Sequence, residues 1–213
     1  MNWRRTWLAA ACLPLAACTT AQQPKPASVT VATEAQAGWR DLIQPVDLSR
    51  VGGLASAWTR GLDTARRAGF TRRLREEEPL FDPATALPLP APAPGAYRCR
   101  LFRLGAGARG TRAFSPAGSF FCFISAEGGE LRFVRETGSP RPIGFLYQDA
   151  DPSRLVFIGT IAQGRETSEP AYGERPDRNV VGVMQRVGNH RYRLTLPWRG
   201  ETPLEIYELV PAL

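Results

Sequence analysis

The chain has 213 residues, enough for one domain of ordinary size plus a tail, and such a body buries a core without a metal's help. Lys25 is the only lysine against 26 arginines and His190 is the only histidine, so a site built on several imidazoles is excluded and no lysine is left in the body for Schiff-base chemistry. The formal net charge of +7 favours anionic surfaces through a salt-screened attraction, but no basic run is interleaved with aromatics, which argues against nucleic acid.

Residues 1–17 have the layout of a signal peptide. Arg4 and Arg5 form a positive start, and residues 7–17 are an apolar stretch too short to span a hydrocarbon core of about 30 Å as a helix. Loss of those two arginines takes the charge from +7 to +5. The segment Leu15-Ala16-Ala17-Cys18 resembles the bacterial lipobox, which implies that Cys18 carries lipid and becomes the first residue. The expected partner is therefore a membrane, held through a lipid anchor that is firm only with two or more chains. Thr19, where an Asp would signal inner-membrane retention, points by analogy to the outer membrane, with the body facing the periplasm.

Residues 18–38 read as the lipidated cysteine and a disordered tether rich in Ala, Thr, Gln and Pro. Residues 39–96 read as a helix followed by a proline-rich connector. Leu48, Val51, Leu54, Trp58, Leu62 and Ala65 recur at helical spacing, with Asp47 as N-cap and Gly69 as stop. Trp58 reads as core packing and residues 72–78 as a solvated charged run. Residues 79–94 hold six prolines and so form an extended connector.

Residues 97–213 read as the β domain, with strands near 97–104, 119–125, 130–136, 142–148, 154–161, 179–187, 190–196 and 204–210. Eight sequential strands with short links predict an antiparallel meander, and closure into a barrel removes the exposed edges. The fold class is mainly β with an N-terminal helix. Residues 162–177 form the longest polar loop, where function is expected to sit. Cys99 and Cys122 fall mid-strand in consecutive elements and are expected to form a disulfide in an oxidising compartment, the alternative being two buried thiols.

Several chemical motifs are present but lack context. Gly105-Ala106-Gly107-Ala108-Arg109-Gly110 matches the dinucleotide fingerprint, yet a strand and not a helix follows. Ser139 sits in a turn with no base nearby in sequence, and His190 falls at a hairpin tip. Asp149, Asp151, Glu166, Glu169, Glu174 and Asp177 offer carboxylates, all in turns or loops. Arg98, Arg100, Arg191 and Arg193 lie on strands and would hold an anion only if their faces converged. No catalytic set, no metal site and no cofactor is expected. Arg141, held between Pro140 and Pro142, and Tyr172 and Arg178, which bracket the long loop, are the candidate ligand or partner residues. A bland alternative is that Arg141 and Arg178 pair with nearby acids such as Glu136 and Asp177.

Segments such as Tyr97-Arg98-Cys99-Arg100, Phe121-Cys122, the run Thr137-Gly138-Ser139-Pro140-Arg141-Pro142-Ile143-Gly144, Val156-Phe157-Ile158-Gly159-Thr160 and Asp177-Arg178-Asn179-Val180-Val181-Gly182 together resemble a family of exported bacterial proteins classed as domain of unknown function 4893. The resemblance covers roughly residues 39–213 and implies the domain boundaries and both cysteines, but no activity. The strand count is also similar to lipocalin-like and periplasmic protease-inhibitor barrels in architecture alone. The expected function is an envelope lipoprotein presenting a non-enzymatic β domain to a small apolar ligand, a lipid or a protein. The alternatives are a hydrolase-like enzyme using loop carboxylates and a structural or assembly role.

Overall fold

The computed structural model describes residues 38–105, 112–164, 166, 168–197 and 204–212. The expected signal peptide, Cys18, the tether up to residue 37 and residues 106–110 of the glycine-rich motif lie outside the described residues.

The helical stretch is not one helix but four: α1 (Trp39–Leu42), α2 (Pro45–Gly52), α3 (Leu54–Arg67) and α4 (Thr71–Glu76). Gly52 and Gly53 interrupt the periodic pattern, each glycine costing a helix about 1 kcal/mol relative to alanine. Gln44, not Asp47, holds the cap position of α2, and Pro45 opens the helix. Asp47 therefore lies in the first turn and is fully buried. Gly69 does stop α3: with φ of +88° it lets the Phe70 N–H reach the Ala65 carbonyl at 3.0 Å, a Schellman closure.

Eight antiparallel strands follow: β1 (Gly95–Leu104), β2 (Phe114–Glu127), β3 (Glu130–Arg135), β4 (Arg141–Gln148), β5 (Arg154–Ala162), β6 (Asn179–Gly188), β7 (Arg191–Pro197) and β8 (Leu204–Pro211). Each pairs with the next, and β8 pairs back with β1, so the sheet is a closed barrel. β2 begins earlier than its sequence suggests. Pro116 and Gly118 have turn character, yet Phe114 pairs with Leu104 and Pro116 with Phe102 beyond a register shift in β1.

Side chains fill the barrel. Phe133 meets Phe157 at 5.9 Å and Tyr207 at 6.1 Å, and Tyr207 meets Phe120 at 6.0 Å, so aromatic rings bridge strands across the lumen. An eight-stranded barrel has room for such packing or for one small ligand, and here the rings occupy the space. Cys99 and Cys122 form the expected disulfide within the same core. Toward the long-loop end the lumen turns polar. Arg103 Nε donates to Glu205 at 3.0 Å, and the Tyr207 hydroxyl donates to Glu205 at 3.1 Å. Burial raises the pKa of Tyr207.

Strands β5 to β8 are buried on both faces because the N-terminal helices and the connector cover their outer side. Trp39, Ile43 and Val51 pack on Val156, Ile158, Val181 and Val183. Trp58, Leu62, Leu80 and Phe81 pack on Phe102, Leu104 and Ile206. Beneath them Arg193 is fully buried. Its guanidinium donates to the carbonyls of Leu80, Asp82 and Thr85 and to the Gln185 amide oxygen, and lies 5.2 Å from the Trp58 ring centroid. Burial lowers its pKa to about 10, so it remains a cation at neutral pH.

Two of the four strand arginines converge, but on an acid of the chain itself. Arg100 and Arg191 both donate to Glu208, and Arg100 also donates to Glu77 at 2.7 Å. Arg98 alone is exposed. Burial pushes the Glu208 carboxyl up, but the hydrogen bond from Arg100 and the charge of Arg191 outweigh it and leave the pKa lowered. Its stabilisation is therefore present above the ordinary carboxylate range and is lost as pH falls through the depressed folded value. Glu208→Gln is expected to lower unfolding free energy by about 2 kcal/mol at pH 7, the solvent-facing part of Arg100 limiting the loss. In urea titrations the difference from the parent protein should shrink as pH falls below about 4.5.

The disulfide closes a loop between residues 23 apart in sequence. Replacing both cysteines with alanine is expected to cost about 3 kcal/mol, read as a lower urea midpoint with a somewhat steeper slope as the denatured chain expands. An unchanged midpoint would count against that contribution.

Candidate functional site

The two ends of the barrel differ. One carries the short links 128–129, 149–153 and 189–190, with His190 exposed at a tip as expected. The other carries the links 105–113, 136–140, 163–178 and 198–203. Arg141, Tyr172 and Arg178 all belong to this second end.

Arg141 opens β4 and bonds backbone, not Glu136. Its guanidinium donates to the carbonyls of Gly138, Gly164 and Glu166, the last at 3.0 Å. Arg178 precedes β6 and pairs with Glu166, not Asp177: Nη1 donates to both carboxylate oxygens at 2.8 and 3.0 Å. Glu166 also accepts from the Gln163 N–H at 2.8 Å. That backbone bond, then Arg178, lowers its pKa. The structure thus brings Arg141 and Arg178 together on one residue of the β5–β6 loop. Ser139 belongs to the same bracing, accepting from the Gly164 N–H at 2.9 Å.

Tyr172 goes to a different place, a buried polar network centred on Asp47. The Tyr172 hydroxyl donates to Asp47 Oδ2 at 2.7 Å and accepts from the Gln44 N–H at 3.0 Å. Asn179 Nδ2 donates to Asp47 Oδ2 and to Gln44 Oε1, each at 3.0 Å, and Arg50 donates to Asp47 Oδ1. Burial, and then the bond to Asp47, raise the tyrosine pKa, so it stays a donor. The sequence carries no local sign of this network, because Asp47 and Tyr172 are 125 residues apart.

Two concave sites flank this network. A groove of about 640 Å³ runs over the outer face of β4 and β5. Ile143, Phe145, Tyr147 and Ile158 form its wall, and residues 169–172 of the loop overhang it. Arg132, on β3, reaches Glu169 across the opening and lies 3.5 Å from Glu127. The floor is shaped by a close approach of strands: a Cβ on Gly144 would fall 2.3 Å from the Ile158 carbonyl oxygen, and one on Gly159 2.2 Å from that of Ile143. Burial raises the Tyr147 pKa, with Glu130 adding to it. The second site, of about 190 Å³, lies at the barrel mouth beside Arg178, Arg50 and Asn179.

Elsewhere on the outer wall, Phe121, Phe123 and Val210 are 54%, 42% and 40% exposed. They are neighbours: Arg98 pairs with Phe121 on one side and Val210 on the other.

The loop carboxylates are divided between the two ends of the barrel. Asp149 and Asp151 sit at the short-link end, away from the β5–β6 loop. A glycoside-hydrolase pair needs one carboxyl held up as an acid. Here Asp149, Asp151, Glu166 and Asp177 are all held down. Burial raises Asp149, but bonds from Arg154, the Ala150 N–H and Trp39 outweigh it. Glu169 pairs with Arg132, and Glu174 accepts from the Ala171 N–H.

Tyr172→Phe is expected to cost about 1–3 kcal/mol, because it strands the Gln44 N–H and removes a donor from buried Asp47. Chemical denaturation measures it. Hydrogen exchange should also speed up at the start of α2, which a change confined to the loop would not produce.

Residues 39–209 match the family model described as Domain of unknown function (DUF4893). No curated protein sequence and no solved structure matches the chain.

Proposed function

Since the chain belongs to the DUF4893 family, whose description assigns no activity, we propose its function from its own surfaces: a lipid-anchored envelope protein whose barrel binds a small, largely apolar ligand without transforming it. The observation that carries this reading is the groove of about 640 Å³ over β4 and β5. Its volume falls in the usual range for small-molecule sites, and its lining combines an apolar wall with a few charged groups at the rim. Ligand binding is assigned to the outer wall and not to the lumen, because Phe133, Phe157 and Tyr207 occupy the barrel interior. The Arg132–Glu169 pair spans the opening, and its exchange with a polar group of the ligand would set orientation.

A second reading is favoured by the patch of Phe121, Phe123 and Val210. Apolar groups side by side on an otherwise polar wall suit a protein partner, which fits a structural or assembly role.

The neutral fluorophore N-phenyl-1-naphthylamine tests the groove. It is expected to bind the parent protein, with Phe145→Ser weakening it about tenfold through lost apolar contact. Equal affinity in the two proteins would remove the groove from consideration. A Phe121→Ser/Phe123→Ser variant should leave probe binding unchanged; loss of binding there would move the ligand site to the second patch.

The anchor is tested separately. Export, bacterial origin and acylation rest on Arg4, Arg5, the apolar run and Leu15-Ala16-Ala17-Cys18. Cys18→Ser is expected to abolish lipid labelling and release the protein from membranes in a high-salt wash. Retention of the variant on the membrane would reject the anchor.

A further inference from the structure

We propose that the pocket beside Arg178 is a binding site for a carboxylate carrying one small apolar group. This is a site separate from the groove: none of the described residues lining one lines the other.

The pocket joins two guanidinium groups from distant parts of the chain, Arg50 on α2 and Arg178 at the entrance to β6. Each is held by an acid of the protein through one nitrogen, Nη1: Arg50 by Asp47 and Arg178 by Glu166. This fixes both groups in place while leaving other donors. Arg178 Nε is buried and has no hydrogen-bond partner among the described residues. A buried donor of a charged group without an acceptor is costly. A guanidinium carries five donors in a rigid fork, and the edge formed by Nε and the nitrogen beside it matches the two oxygens of a carboxylate. Nη1, the nitrogen that Glu166 takes, is the one outside that edge.

Charge selects the same ligand. Arg50, Arg141 and Arg178 stand against Asp47 and Glu166, and Arg141 acts on Glu166 together with Arg178. The excess is one positive charge, which a monoanion balances and a phosphate dianion overshoots. Asp177, the only acid among the described residues that line the pocket, is already paired with Arg175 at 3.2 Å and is 61% exposed. The rest of the described lining is Pro140, Ile161, Val180, Val181 and Pro197, with the amides of Gln163 and Asn179 beside them. A space of about 190 Å³ is smaller than a drug-sized site and suits one amino-acid residue or a short branched acid. The shared chemistry is thus a carboxylate next to a compact apolar group, supplied by the C-terminal residue of a peptide or by a free acid.

Calorimetric titration of the purified full chain tests this with four probes. N-acetyl-leucine stands for a chain terminus and isovalerate for a free acid. N-acetyl-leucinamide removes the charge, and inorganic phosphate reports general anion binding. The expected result is binding of at least one of the two acids, the tighter identifying the source, with the amide at least tenfold weaker than its acid. Arg178→Gln should weaken the acid at least tenfold. Because Arg178 also braces the loop, Gln163→Trp provides a second route: it fills the pocket from an exposed rim position and leaves the Arg178–Glu166 pair intact. It should abolish acid binding while far-ultraviolet circular dichroism, the urea midpoint and groove binding of N-phenyl-1-naphthylamine stay unchanged. No binding of either acid at millimolar concentration overturns the proposal, as does acid binding that survives Gln163→Trp. Phosphate binding as tight as that of the acids also overturns it. The groove probe reads the other site, so failure of either reading is visible without the other.

Discussion

The seam between β1 and β8 runs from Tyr97 opposite Pro211 to Leu104 opposite Leu204. Its hydrogen bonds close the ring of strands, so no described strand is left as a free outer strand of an open sheet. Closure with eight strands leaves a narrow lumen, and in this chain large side chains fill it. The aromatic rings, the disulfide and the aliphatic residues of all eight strands share that space. Under the proposed binding role, recognition is left to the outer face of the strands, the links at the two ends and the helices laid across the wall.

The outer layer is held by polar contacts as well as apolar packing. Arg193 draws the connector onto β7 through three backbone carbonyls. A proline-rich segment cannot supply a full set of backbone donors to a sheet, so its carbonyls need donors from elsewhere. Its one ladder contact is the bridge between Leu87 and Arg186. A fully buried guanidinium with several donors meets that need more compactly than a lysine would. The same residue type recurs where loops need bracing, at Arg135 on the Thr137 and Pro140 carbonyls and at Arg141 on the Gly164 and Glu166 carbonyls.

The strands were legible because alternation and turn residues are local signals. Leu131 and Phe133 against Arg132, or Leu204 and Ile206 against Glu205, mark pleated segments whatever they pair with. Local signals misled where tertiary pairing overrode them. Pro116 and Gly118 read as loop, yet β2 runs through them because Phe114 is pinned between Phe81 and Phe102. Asp47 read as a cap because its type suits one, but its carboxylate is claimed by Tyr172 and Asn179 from across the chain. The acids nearest Arg141 and Arg178 in sequence were not their partners. Glu166, at a distance of 12 residues from Arg178, became one only once the loop folded back. Both concave sites were beyond reach for the same reason: each is assembled from residues that only the barrel's registers bring together.

The Asp47 network stands between those two sites. Tyr172 belongs to the groove's lining and Asn179 to the pocket's, and both donate to the same oxygen, Asp47 Oδ2. A buried carboxylate costs far more to strip of donors than an exposed one. The β5–β6 loop therefore cannot lift from α2 at residue 172 without leaving Asp47 short of a donor. It cannot shift at Asn179 either, since that side chain also accepts from the Gly173 N–H at 3.0 Å. Movement at either site is thus resisted by one shared acceptor, so the loop behaves as a single body across 172–179, while its earlier part is fixed independently through Glu166. This division explains how a loop of irregular backbone presents two separate surfaces with defined shape. The bracing falls between them, at a residue whose role depends on burial and not on sequence position.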